Sequence, residues 1–161
     1  MKKPLLAAIV LVLLGIFAYW WYSPGQVLKR RTVVFLETLN MQPGSGKASR
    51  QMGLYTISAM LAPDVVLESP SIDLVNGEFP RQELESAFSA LCEHSKECRF
   101  EKPEFESISA SGGEADVIFT VRAMVEMSGS RPVDGTYRVN FHWRNPEGNW
   151  LLTRAKWELV K

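Results

Sequence analysis

The sequence predicts an α+β fold in which three helices cover one face of an antiparallel sheet, behind a single N-terminal transmembrane helix. Three observations predict it. The run from Leu5 to Tyr22 holds no charge, apolar residues then recur at helical spacing as far as Leu91, and after Cys98 the period changes to two.

In the first run, LLAAIVLVLLGIFAYWWY, 17 of 18 residues are apolar. A helix of that length spans about 27 Å, close to the hydrocarbon thickness of a bilayer. Trp20, Trp21 and Tyr22 suit the headgroup level, and Ser23-Pro24-Gly25 ends the helix. The expected organisation is a leader at 1–4, a signal anchor at 5–22 and one domain at 25–161. The competing reading is a cleaved signal peptide with Met1-Lys2-Lys3 as its basic start, but cleavage after Ala18 would put Ile16 where a small residue is needed. Basic residues directly against the apolar run place the leader in the cytoplasm and the domain on the periplasmic or outer side of the inner membrane. The bilayer is then the first expected partner, through residues 5–22.

Between Val27 and Asn40, Leu28, Thr32, Phe35, Leu36 and Leu39 fall on one helical face. Met41 to Gly46 interrupts, and a second helix is expected from Lys47 to Leu61, with Ala48, Met52, Tyr55 and Ala59 on its buried stripe and Leu54, Ile57 and Leu61 beside it. Ala62-Pro63-Asp64 ends it. A short strand follows at Val65 to Pro70, in which Val65, Leu67 and Ser69 share a face. Pro80 opens a third helix carrying Leu84, Ala87, Phe88 and Leu91. Phe100 to Ser109 is a weaker strand, placed at an edge by Pro103. Ala115 to Met127, Tyr137 to Arg144 and Leu151 to Leu159 then alternate apolar and polar residues, as half-buried antiparallel strands do. Ser111-Gly112-Gly113, Ser128 to Gly135 and Asn145 to Asn149 supply the turns.

Charge and composition exclude other classes. The chain has net charge +0 and is 46% hydrophobic, but from Ser23 onward the apolar share falls to about 40% and the balance, 16 basic to 18 acidic, is slightly acidic. Counterion-release binding of nucleic acid wants a basic excess, so no nucleic acid is expected. An aromatic content of 11% excludes disorder. Cys92 and Cys98 are either a disulfide, which would suit an oxidising compartment, or two separate buried thiols. A metal site is not expected, because His94 is the only other good ligand near them. His142 reads as a solvated residue on the polar strand face, and His94 as a favourable charge at a helix C-terminus.

This order of elements, with APD before VVLESP and inward aromatics on the last two strands, resembles the nuclear transport factor 2-like superfamily, the cone that includes ketosteroid isomerase and SnoaL-like cyclases. The resemblance covers roughly Gly25 to Lys161 and implies that the sheet curves around the helices. It also implies where chemistry would sit. The isomerase base would stand at Ser69, in Leu67-Glu68-Ser69-Pro70; the hydroxyl donor near Phe35; and the protonated acid near Asn140. None of these residues can play those parts. The expectation is therefore a binding domain with no catalytic residue and no cofactor.

Candidate pocket-lining residues are Phe35, Tyr55, Ser69, Asp73, Phe119, Tyr137, Phe141 and Trp157. Asp73 sits with Glu78 in a loop that can rim the pocket in this superfamily. On the outer face of the sheet, Arg122, Arg138 and Arg154, with Arg144 and Lys156, either pair with Glu126 and Glu158 or form a homodimer interface centred on Ile118, Met124 and Leu152. The leading expectation is a membrane-held domain that binds a small apolar ligand or a protein partner in the cell envelope. The alternatives are a SnoaL-like or dehydratase-type enzyme using Asp73, Tyr55 or His94, and a scaffold subunit of an envelope or secretion assembly.

Overall fold

The computed structural model describes residues 2–70 and 76–160, with the backbone alone for residues 2–8, 47 and 49. It begins with helix α1, Lys2–Trp21. From Ile9 to Tyr22 every residue is exposed. Among the described residues no single helix is long and apolar enough to cross a membrane; Ile9–Trp21 and Pro24–Thr38, bent by 55°, reach that length and composition together. Ser23 and Pro24 make the bend, with Pro24 in the first turn of α2, Pro24–Thr38, where its missing N–H costs nothing. Arg30 fixes the joint: its guanidinium lies 4.3 Å from the Trp21 ring centre and donates to the Trp21 carbonyl at 2.8 Å.

Helix α2 buries Leu28, Thr32, Phe35 and Leu36, the face the spacing predicts. The single helix expected from Lys47 to Leu61 is instead two short ones, α3 at Lys47–Gln51 and α4 at Gly53–Ser58. The buried stripe also differs. Ile57 is buried, whereas Met52 and Tyr55 are 75% and 84% exposed. Close packing explains the change: a Cβ at Gly53 would meet Thr38 Cγ2 at 2.6 Å and Phe88 Cζ at 3.2 Å, so only glycine lets α4 approach both neighbours. The chain therefore rolls onto its Leu54 and Ile57 side.

Strand β1, Leu61–Glu68, starts earlier than Val65 because Pro63 sits within it rather than ending a helix. Strand β2, Gly77–Pro80, pairs antiparallel with β1 where a loop was expected, and Pro80 then caps α5, Arg81–His94. Strand β3, Ser95–Phe100, and β4, Glu104–Ser111, follow one another along the same side of β5, Glu114–Met127. Pro103 lies in the break between them, at an edge as predicted. Strands β6, Val133–Arg144, and β7, Leu151–Leu159, complete the sheet. Gly112 and Gly113 both have positive φ, which the tight β4–β5 turn requires.

Among the described residues the seven strands form one sheet in the order β2-β1-β7-β6-β5-β3, with β4 also on β5. Every pair is antiparallel except β1 with β7. The sheet's inner face and the helices enclose a core that includes Leu28, Leu36, Val65, Phe88, Val117 and Val139. Register shifts interrupt several strand pairs, and the one between His142 and Trp143 on β6–β7 sets Trp143 opposite Leu152 and His142 opposite Arg154. The bulge turns Leu152 into the core, 1% exposed, and it cannot be the apolar centre of an outer interface.

Candidate functional site

The inner face of the sheet divides into two halves. At the end nearer the β4–β5 turn, Phe119, Phe141 and Trp143 are 0% exposed. Helix α2 lays Phe35 edge-on against Phe141 at 5.5 Å, and Phe141 meets Phe119 at 5.1 Å and Trp143 at 6.1 Å, the offset geometry aromatic rings prefer. Phe35, Phe119 and Phe141, expected to line a pocket, are packing residues instead. Helix α2 fills this end through Phe35.

At the other end the inner face is open. A pocket of about 400 Å3 is lined by Leu67, Ser69, Phe100, Val125, Tyr137 and Trp157, with Ala123 and Val133 completing its wall. Small side chains on β5 leave the space, and no helix side chain among the described residues enters it. Trp157 is the partition between the halves. Its ring lies 5.9 Å from Phe141 on one side and 6.3 Å and 6.2 Å from Phe100 and Tyr137 on the other.

Two asparagines hold the pocket's flanks. Asn40, just past α2, accepts from the Phe100 N–H through Oδ1 and donates to the Phe100 carbonyl at 3.2 Å. Asn76 treats Ser69 in the same way, accepting its N–H and donating to its carbonyl at 3.1 Å. Each amide stands in for a neighbouring peptide at a strand end, satisfying groups that would otherwise face the mouth unpaired. Met41 extends the first clamp, exchanging backbone bonds with Cys98 at 2.7 and 3.0 Å.

The polar groups that reach the pocket are few. Ser69 is inward, as the alternation predicts, and 8% exposed. The Tyr137 hydroxyl makes no hydrogen bond to the described residues. Glu68 borders the pocket but turns its carboxylate outward, 3.6 Å from Arg154. Among the described residues no His, Asp, Lys or Arg lines it. The arrangement can enclose an apolar body and offer it the hydroxyls of Ser69 and Tyr137.

The other candidates fall elsewhere. Tyr55 points into water from α4, and Asp73 lies outside the described residues. Asn140 faces out beside Arg138 and Lys156, so the late-strand position does not reach the interior. His94 is exposed, and His142 Nδ1 lies 3.0 Å from Asp116 on the outer face. Arg122 pairs with Asp134 at 3.2 Å and Arg154 with Glu68 on neighbouring strands, and Arg138 reaches across β5 to Glu106 at 2.9 Å, so these outer arginines are engaged. The hydrogen bond from Arg138 holds the Glu106 carboxyl below its usual range, and Arg122 does the same to Asp134. Cys92 and Cys98 are two free thiols, each 2% exposed, rather than a disulfide. Each is packed as a small apolar group, one in the last turn of α5 and one on β3, and burial pushes both thiols up in pKa. A larger groove of about 750 Å3 crosses the outer side near Asp64, Glu78, His142 and Arg154. Its lining mixes polar and apolar groups; Arg144 pairs with Glu114 inside it, while His142 and Arg154 pair with Asp116 and Glu68 beyond its wall.

Sequence reasoning missed Phe100, Val133, Asn40 and Asn76. The first two fell in segments read as weak strand or turn. The asparagines carry no pattern in the sequence, since their partners are 60 and 7 residues away.

No family model and no curated protein matches the chain. Solved structures do. A nuclear transport factor 2-like superfamily protein from Salmonella enterica superposes with a TM-score of 0.61 at 11% identity, over 85% of this chain and 91% of that one. A conserved protein from Planctomyces limnophilus gives 0.60 at 20% identity, over 83% and 94%. A protein of the nuclear transport factor 2-like family from Streptomyces avermitilis, provisionally named a dehydratase, gives 0.59 at 15% identity, over 83% and 94%. The chain has the nuclear transport factor 2-like fold.

Proposed function

Starting from that fold, we propose that the domain is a binding module for a small apolar molecule, and that α1 holds it on a membrane as a signal anchor. The pocket walled by Trp157, Phe100 and Tyr137 carries the first part. Its volume lies within the range of small-ligand sites, and a mostly apolar lining with the hydroxyl-bearing residues Ser69 and Tyr137 suits a largely hydrophobic ligand bearing a hydrogen-bonding group. The second part is supported by the uncharged run from Leu5 to Tyr22 and by its exposed apolar residues, which bury nothing against the domain and need another apolar phase. The basic residues Lys2 and Lys3 favour a cytoplasmic N-terminus and an outer domain.

Equilibrium dialysis with 2-naphthol, an aromatic body with one hydroxyl, tests the binding. The native chain should take up one equivalent saturably, and Trp157→Ala should weaken uptake at least about tenfold. Uptake that does not saturate, or that Trp157→Ala leaves unchanged, would overturn the pocket assignment. Sedimentation of the full chain with phospholipid vesicles, resistant to high salt, tests the anchor.

A further inference from the structure

We infer that the pocket is filled from the aqueous phase, and that its ligand is a water-borne apolar molecule rather than a lipid drawn from the bilayer. The inference rests on the anchoring and pocket readings above and specifies the ligand's source. The anchor and the mouth stand at opposite ends of the domain. The end of α1 meets the domain beside the β4–β5 turn: a Cβ on Gly25 would lie 4.0 Å from Ile108, which pairs with Val117. From there α2 runs past Phe105, over which Lys29 sits at 5.2 Å, to Asn40, whose side chain holds Phe100 at the pocket. The 15 residues of α2 cover about 22 Å.

Strand β5 gives a second ruler. From Val117 to Ala123 and Val125 in the pocket wall it advances about 20 to 27 Å. Both rulers put the mouth a domain's length from the anchor. With a bend of only 55° between them, α1 continues away from the mouth instead of folding back toward it. The Arg30 bonds to Trp21 hold that joint. An acyl chain would have to leave the hydrocarbon and cross that distance in water to reach Trp157. A molecule already in water meets the mouth directly.

Photocrosslinking of the full chain tests this. The protein is placed in vesicles of phosphatidylcholine and phosphatidylglycerol containing a phosphatidylcholine with a diazirine on its acyl chain, irradiated, and its peptides mapped by mass spectrometry. Adducts are expected on residues 9–22 and not on the peptides carrying Phe100, Tyr137 or Trp157. Adducts at those pocket residues would overturn the inference while leaving the anchor standing. Failure to sediment with the vesicles would overturn the anchoring and this inference with it, and would leave the pocket to its own dialysis test.

Discussion

The two ends of the inner sheet face have the same alternation, share strands β5, β6 and β7, and are both rich in aromatic residues, yet one is solid and the other hollow. At the closed end Phe35 from α2 completes a cluster with Phe119, Phe141 and Trp143. At the open end Trp157, Tyr137 and Phe100 make an equivalent set of ring contacts among themselves. What differs is the cover. Helix α2 crosses the closed end with a large side chain, whereas at the mouth it has already ended and contributes only the Asn40 clamp on the backbone. An aromatic on a sheet face is therefore core or pocket according to the element above it.

That contrast can be broken at several points. Phe141→Ala removes the ring on which Phe35, Phe119, Trp143 and Trp157 all converge, and should cost about 3 to 5 kcal/mol in denaturant unfolding. Trp157→Ala, half-buried at the mouth, should cost only about 1 to 2 kcal/mol of stability while weakening 2-naphthol at least tenfold. If the two variants lose stability equally, the mouth is core as well. Asn40→Ala leaves the Phe100 N–H and carbonyl without their partner and should cost about 1 to 2 kcal/mol, with a weaker pocket. Tyr137→Phe should leave unfolding unchanged and lower affinity for 2-naphthol about two- to tenfold, the worth of one hydrogen bond.

The smallest effect lies on the outer face. Glu106, Asp134 and Glu158 are held below their usual pKa by hydrogen bonds from Arg138, Arg122 and Lys156. A carboxyl depressed in the folded state stabilises above its unfolded pKa and loses that contribution as pH falls through the folded value. Unfolding midpoints should thus be flat near neutrality and fall below about pH 4.5, and Glu106→Gln should reduce that fall slightly. These pairs lie at the solvent-facing surface of the sheet, so salt should shrink the difference.

Much of the fold was legible. The change of period near Cys98, the turn at Gly112-Gly113, and the inward positions of Val65, Leu67 and Ser69 all rest on local rules and are found in the structure. The failures came where a neighbour decided the outcome. Tyr55 turned outward because Gly53 lets α4 press its other side against Thr38 and Phe88. Leu152 turned inward because of a bulge against Trp143, which alternation counted within one strand cannot reveal. The site was half legible for the same reason. Ser69, Tyr137 and Trp157 could be placed on the inner face, but whether that face was hollow depended on where α2 stopped.

The central claim is that the open end takes a ligand that the closed end cannot. Chemical-shift mapping of the full chain in lipid nanodiscs during titration with 2-naphthol tests it most directly. Saturable shifts gathered at Ser69, Phe100, Ala123, Val125, Tyr137 and Trp157, with Phe119 and Trp143 unmoved, are the predicted result. Shifts centred instead on Asp64, Glu78 and Arg154 of the outer groove, or spread over both ends alike, would contradict it.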